Sequence, residues 1–324
     1  MKAILCKAYG PPETLVLEDI AEPEAGPGEV VVEMKAAALN FFDTLIIENR
    51  YQTKPDLPFS PGAEMAGIVS AVGEGVTRIK PGDRVVAYNR FGCCREKVAV
   101  KEANVTALPN DVPFALAAGL MVTYGTTLHA LRGRGDLKPG ETVAVLGASG
   151  GVGQAAVEIA TLMGARVIAC ASSEEKLAFA RRFGATDTVN YAKEDLKTRL
   201  KELTDGAGVD VVYDPVGGDY AEQALRATAW RGRYLVIGFA AGAIPKIPLN
   251  LVLLKGCDIR GVFWGAANER EPDQHRKDVE QLLDWVAKGE LKPHIHAVYP
   301  LAETPRALEE LAQRRALGKV IIEP

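Results

Sequence analysis

Residues 142–165 read TVAVLGASGGVGQAAVEIATLMGA, from Thr142 to Ala165. An apolar run of strand length, Thr142 to Leu146, meets a turn carrying Gly147, Gly150 and Gly153 and passes directly into a helix-type segment, Gly151 to Met163. Glycines at such a junction permit a tight turn, close approach of backbone to a pyrophosphate, and close packing of helix on strand. The helix start adds free N–H groups and the positive end of the helix dipole. Gly147, Ala148, Gly150, Gly151, Val152 and Gly153 are therefore the candidate dinucleotide contacts. The spacing is GxxGxxG rather than GxGxxG, so the position between strand and helix carries the reading, not the glycines alone.

Downstream the alternation continues. Arg166 to Cys170, Thr188 to Asn190, Val209 to Tyr213 and Arg233 to Ile237 are short β-type runs, with helix-type segments at Ser173 to Phe183, Asp195 to Leu203 and Asp219 to Trp230. Repeated βα units demand right-handed crossovers and a parallel sheet covered on both faces, a doubly wound nucleotide-binding architecture. A site that selects NADH ends its second strand, about 20 residues after the glycines, on an acidic residue for the ribose hydroxyls. Here that strand ends Cys170-Ala171-Ser172-Ser173, without a carboxylate. Ser172, Lys176 and Tyr191 are candidates to hold a 2′-phosphate, which favours NADPH. The same residues admit a plainer reading, with Ser173 capping the next helix and Lys176 on its solvated face. Glu174 and Glu175, close by, leave both readings open.

Upstream, from Lys2 to about Val100, the runs VVVEMKAAAL, AGIVSAVG and DRVVAY are broken by Gly and Pro, the punctuation of an irregular β domain. Phe114 to Leu131 is helix-compatible, and the loop Arg132 to Gly140 leads into the βα repeats. Near the end, Pro305 to Arg315 reads as helix and Lys319 to Ile322 as strand, a tail able to return to the first domain.

With 324 residues, 48% of them hydrophobic, the chain buries a large core and divides naturally into two domains. Its net charge of −4, with acids and bases interspersed, leaves no basic footprint for nucleic acid or an anionic membrane surface. Apolar runs such as Leu249 to Leu254 fall far short of the roughly 20 residues needed to span a bilayer. The N-terminal stretch reaches Lys7 and a Gly-Pro-Pro turn before any secretory segment forms, and the five cysteines (Cys6, Cys93, Cys94, Cys170, Cys257) lack regular spacing. A cytoplasmic chain with free thiols is expected.

Taken in order along the chain, ALNFFDTLI, LPFSPGAEMAGIVSAVGEGV, KPGDRV, GETVAVLGASGGVG, ASSEEKL, YDPVGG, RGRYLVIGFA and RRALGKVII resemble the zinc-free quinone oxidoreductase branch of the medium-chain dehydrogenase/reductase superfamily. The resemblance implies an α/β protein: a GroES-like β-rich catalytic domain from residues 1–123 together with 292–324, and a Rossmann doubly wound parallel-sheet domain from 124–291. The cofactor is expected in the cleft between them. By similarity, Asn40 and Asp43 lie near the nicotinamide ribose and Thr126 beside the nicotinamide, with Lys176 and Tyr191 at the 2′-phosphate. Gly217, Phe239, Phe263, Trp264 and Arg314 fall in segments bordering the cofactor. Homodimers are usual in this branch, and the apolar run near Leu249 to Trp264, taken as an edge strand, is the expected contact.

The zinc enzymes of the superfamily place a cysteine and a histidine where this chain resembles them with Asn40 and Ala63, so two of three catalytic zinc ligands are missing. The adjacent Cys93 and Cys94 lack the CxxC spacing of a structural zinc lobe. Among the four histidines, His294 and His296 share one face of a strand-like run, for which a structural role is expected. Without a Lewis acid for an alkoxide, hydride addition to a quinone or other α,β-unsaturated carbonyl compound becomes the favoured chemistry, because charge spreads onto an oxygen that hydrogen bonds stabilise. Tyr51 is the candidate substrate contact, with Asn40 and Thr126 as the other residues beside the reacting atoms. Leu45 replaces a second tyrosine of similar chains and makes that pocket more apolar. Enoyl thioester or acrylate reduction, and a non-catalytic NADPH-binding role, are the competing readings.

Overall fold

The computed structural model describes residues 1–324, whose contacts fall into two units, 1–122 with 268–324, and 123–267. The strands of the first unit are β1 (Lys2–Leu5), β2 (Val16–Asp19), β3 (Glu29–Leu39), β4 (Glu64–Val72), β5 (Arg84–Tyr88), β6 (Lys97–Lys101) and β7 (Val105–Ala107), with α1 (Phe41–Ile47) leaving β3 and α2 (Phe114–Ala118) following β7. β3 is the spine of a seven-stranded sheet, pairing antiparallel with β4 along one edge and with β6 along the first half of the other. Val30, Val32 and Met34, and after the irregularity between Met34 and Ala36 also Ala37 and Leu39, enter one core, while Val31, Ala36 and Ala38 on the other face are buried too, so the strand is largely covered on both sides.

Helix α3 (Met121–Leu128) crosses into the second unit. The helical run expected over Phe114 to Leu131 is interrupted at Gly119 and Leu120 and ends in a wider turn over His129–Arg134. Gly119 has a packing reason: a methyl group there would stand 3.0 Å from the Lys319 side chain.

The second unit is a six-stranded parallel sheet in the order β10-β9-β8-β11-β12-β13, built from β8 (Thr142–Leu146), β9 (Arg166–Ala171), β10 (Asp187–Asn190), β11 (Val209–Asp214), β12 (Thr228–Val236) and β13 (Asp258–Gly261). Its crossovers are α4 (Gly151–Leu162), α5 (Glu174–Arg181), α6 (Leu196–Glu202), α7 (Asp219–Arg226) and α8 (Asn250–Lys255). Two expectations are corrected here. The helix read to Trp230 stops at Arg226, because Thr228–Trp230 already belongs to β12, which bulges at the left-handed Arg231 before pairing resumes at Arg233. The run from Leu249, read as an apolar edge strand, is the helix α8, closed by Gly256 in the left-handed conformation. The unbroken apolar run Leu251 to Leu254, between a proline and a glycine, suits either element, and periodicity cannot separate them. The edge strand is the next run, β13.

The chain returns through α9 (Trp264–Arg270), α10 (Pro272–Ala287), β14 (Ile295–Pro300), α11 (Thr304–Ala312) and β15 (Lys319–Glu323). β15 pairs antiparallel with the last residues of β3, Val320 opposite Leu39, and parallel with β14, so the tail completes the first sheet. Residues 268–291, placed with the second domain on sequence grounds, pack with the first unit, α10 lying against β7. No helix is long and apolar enough to cross a membrane.

Candidate functional site

In the second unit, strand order runs outward from β8 in one direction through β9 and in the other through β11, so the crevice at the carboxyl ends of β8 and β11 is the point where connections diverge. Gly147 occupies that point with φ +60°, a conformation open to glycine. Gly150 caps α4, and a methyl group at Gly153 would stand 2.1 Å from the Gly147 carbonyl oxygen. Helix and turn are therefore in direct backbone contact. The first-turn N–H groups of Gly151, Val152 and Gly153, which a helix leaves without intrahelical acceptors, start at this turn. A diphosphate fits such a turn, because backbone N–H groups and the helix dipole suit negative charge.

The opposite wall comes from β11. Val216 lies 2.9 Å from where a methyl group at Gly147 would be. The Asp214 carboxylate accepts from the backbone N–H of Val216 at 2.7 Å and of Gly217 at 2.9 Å, and from the Tyr234 hydroxyl, fixing the Pro-Val-Gly-Gly turn. Burial raises the Asp214 pKa against these donors. Gly217 at φ +67° presses against Phe239, whose ring would stand 2.9 Å from a methyl group there. On the other side, the hydroxyls of Thr127 and Tyr213 are 2.9 Å apart, and Thr127 donates to the Val152 carbonyl at 3.4 Å. This ties α3 to the first turn of α4. Thr126 is half-buried beside it, and the Trp264 indole covers Gly125, 2.9 Å from a methyl group placed there. Phe263, the residue before it, is exposed.

Ser172 lies exposed at the end of β9, and Ser173 caps α5, its hydroxyl accepting from the Lys176 N–H at 3.4 Å. Lys176 is half-buried, and the Tyr191 ring lies 4.2 Å from that of Tyr220. The cap is thus present as the plainer reading has it, and it engages the Lys176 backbone N–H.

In the first unit, Asn40 and Asp43 meet at the start of α1. The Asp43 carboxylate accepts from the Asn40 N–H at 2.7 Å and from the Gly62 N–H at 3.2 Å. The Asn40 amide turns away from the helix, donating to Glu64 at 2.9 Å and accepting from the Lys319 ammonium at 2.8 Å. Lys319 also donates to Glu64 at 2.9 Å and to the Leu39 carbonyl at 3.1 Å, and the second oxygen of Glu64 accepts from the Val122 N–H at 2.8 Å. Burial pushes the Asp43 pKa up to about 7, opposed by the Asn40 N–H, the Lys319 ammonium and the Gly62 N–H. Tyr51 stacks on Phe42 at 5.3 Å, and burial first, then the Asp43 charge, raises its hydroxyl pKa. Tyr88, opposite Glu64 in the β4–β5 pairing, is raised by burial as well.

Glu64, Tyr88 and Lys319 were not singled out in the sequence. A signal existed for Lys319, a charge at the head of the apolar strand KVII, and for Glu64, an acid opening the apolar β4. Arg314 sits exposed and left-handed just past α11.

For a metal, the donors do not converge: Ala63 offers none, and the Asn40 amide is engaged with Glu64 and Lys319. Cys93 and Cys94 are buried thiols whose pKa burial raises, and no group of three or more His, Cys, Asp or Glu side chains is arranged to hold an ion.

Compared with known proteins, residues 26–127 match the family described as alcohol dehydrogenase GroES-like domain, and residues 151–288 the family described as zinc-binding dehydrogenase. A quinone oxidoreductase-like protein 2 homolog of Nematostella vectensis is 39% identical over 99% of this chain and 88% of its own length. Among solved structures, a quinone oxidoreductase of Pseudomonas syringae is 37% identical with a TM-score of 0.94, covering 100% of this chain and 99% of that one. The Escherichia coli quinone oxidoreductase complexed with NADPH is 32% identical with a TM-score of 0.93, covering 100% of both chains. The zinc in the second family's description finds no matching donor set in this chain.

Proposed function

The chain belongs to the zinc-free quinone oxidoreductase branch of the medium-chain dehydrogenase/reductase superfamily, and on that premise we propose that it passes a hydride from NADPH to a quinone or other α,β-unsaturated carbonyl compound. The observation that carries this reading is the close backbone contact of Gly147 with Gly153 at the divergence point of the parallel sheet. NADPH, when bound, supplies the hydride. The protein's part is positioning, exclusion of water and stabilisation of charge on the acceptor oxygen.

The roles divide between the two units. Gly147, Ala148, Gly150, Gly151, Val152 and Gly153 hold the diphosphate, and Ser172, Lys176 and Tyr191 the 2′-phosphate. Thr126 lies beside the nicotinamide, and Gly217, Phe239, Phe263 and Trp264 border the cofactor. In the first unit, Asn40 and Asp43 serve the ribose, Arg314 lies at the cofactor border, and Tyr51 meets the acceptor. The raised pKa of Tyr51 keeps its hydroxyl protonated at neutral pH, so it is a hydrogen-bond donor to a developing oxyanion. A cytoplasmic homodimer joined through the β13 side of the second unit belongs to the same reading.

The test is the oxidation of NADPH, followed by absorbance, with a panel of quinones, enals, enones and enoyl thioesters. Turnover confined to quinones and enones supports the proposal; turnover of enoyl thioesters alone, or equal rates with NADH, would replace it. Tyr51→Phe and Tyr51→Ala with unchanged kinetics would remove Tyr51 from the site.

A further inference from the structure

We propose that Glu174 is a specificity-determining residue that acts through Asn190, fixing the two turns that recognise the nucleotide 2′-phosphate; this rests on the dinucleotide reading above. Asn190 closes β10 and is buried at 3% exposure. Its amide donates to a Glu174 carboxylate oxygen at 2.6 Å, its own side-chain oxygen accepts from the Ala192 N–H at 3.3 Å, and its backbone N–H donates to Glu194 at 2.7 Å. The residue is held on every polar atom of its side chain.

The placement matters because β9 and β10 run parallel with Asn190 opposite Ala171, and the Tyr191 N–H donates to the Ala171 carbonyl at 3.1 Å. Ser172 and Tyr191 therefore leave neighbouring strand ends side by side. The Glu174–Asn190 bond crosses between them, joining the first turn of α5, which carries Lys176, to the turn that carries Tyr191. Lys193 lies 3.8 Å from the same Glu174 oxygen.

A carboxylate just past the second strand is the group that selects the unphosphorylated ribose by accepting from its hydroxyl, and that repels a phosphate dianion. In this chain the carboxylate is present but engaged: Asn190 takes its oxygen and Lys193 faces its charge. Held in this way, Glu174 leaves Ser172, Lys176 and Tyr191 to set the preference. Released, it competes for the ribose and opposes the phosphate.

The experiment is calorimetric titration of the full-length protein with 2′,5′-ADP and with 5′-AMP, which reads the nucleotide site without turnover. The wild type is expected to bind 2′,5′-ADP more tightly. Glu174→Asp, which keeps the charge on a side chain too short to reach Asn190, is expected to lose that preference by about fivefold to tenfold, the scale of one solvent-accessible hydrogen bond. Asn190→Ala is expected to behave alike. Glu174→Gln, whose amide oxygen still accepts from Asn190, keeps the preference within about twofold. Because Glu174 is largely exposed, its variants fold even where Asn190→Ala does not. A Glu174→Asp protein with wild-type preference overturns the role of Glu174 and leaves the dinucleotide reading intact. A wild type that binds neither nucleotide overturns the dinucleotide reading itself, and the role of Glu174 with it.

Discussion

The Lys319 ammonium donates to the Glu64 carboxylate at 2.9 Å, with the two side chains at 3% and 0% exposure. Glu64 in turn holds Asn40, and Lys319 holds it from the other side. Each charge in this network is tolerable only because the other is present.

Lys319→Ala should therefore be severe. It leaves Glu64 as an uncompensated buried carboxylate, and unfolding in urea should show a loss of about 3–5 kcal/mol. The double variant Lys319→Met with Glu64→Gln removes both charges, and its loss should be smaller than the sum of the two single losses. Strict additivity would mean that the two groups do not sense one another.

Asp43 sets a pH dependence whose sign is opposite to that of a surface carboxylate. Its pKa is about 7 in the folded protein because burial dominates, against roughly 3.9 in an unfolded chain. The folded state binds the extra proton across that interval, so the contribution of Asp43 to stability is fully present below about pH 4 and is lost as pH rises through about 7. Asp43→Asn cannot ionise, and its unfolding free energy should fall less steeply between about pH 4 and pH 7 than that of the wild type. Parallel profiles would show that Asp43 is not the titrating group.

Gly153→Ala places a methyl group 2.1 Å from the Gly147 carbonyl oxygen, a backbone atom that cannot rotate aside. Turn and helix must separate, costing about 1–3 kcal/mol in a thermal or urea melt. NADPH fluorescence titration should show binding weakened at least tenfold, because the N–H groups of the first turn lose their common focus. Wild-type affinity in a stable Gly153→Ala protein would remove this turn from the nucleotide site.

In the second unit Leu253 is 78% exposed, Leu249 77% and Trp230 70%, and β13, which carries Ile259, is an end strand of the sheet. Exposed apolar side chains and an open strand edge are the features that suit a self-complementary contact. Sedimentation of the wild type at micromolar concentration should give a dimer, and Ile259→Lys with Leu253→Asp a folded monomer. A monomeric wild type would sink the contact.

What could be read in the amino acids was local. Strand, glycine turn and helix follow one another within Thr142 to Met163, so the parallel sheet and its crevice were visible in a single stretch. The same holds for the cap at Ser173. The Asn40 network was not visible, because its members are separated by 24 positions between Asn40 and Glu64 and by 279 between Asn40 and Lys319, and no short-range pattern records such a meeting. Helix α8 was misread for a different reason. Leu251 to Leu254 is apolar at every position, so neither the period of a strand nor that of a helix is written in it, and only Gly256, left-handed at its end, decides. Likewise the bulge at Arg231 concealed where β12 begins.

The pairing of β15 with β3 carries a consequence for synthesis. The spine of the first sheet is made within the first forty residues, but its neighbour at Leu39 is the distant strand Lys319–Glu323. A nascent chain can close the parallel sheet of residues 123–267 while translation is still under way. The first sheet must wait, its Ala37–Leu39 edge without a neighbour on that side, until Lys319–Glu323 has been made and has left the ribosome.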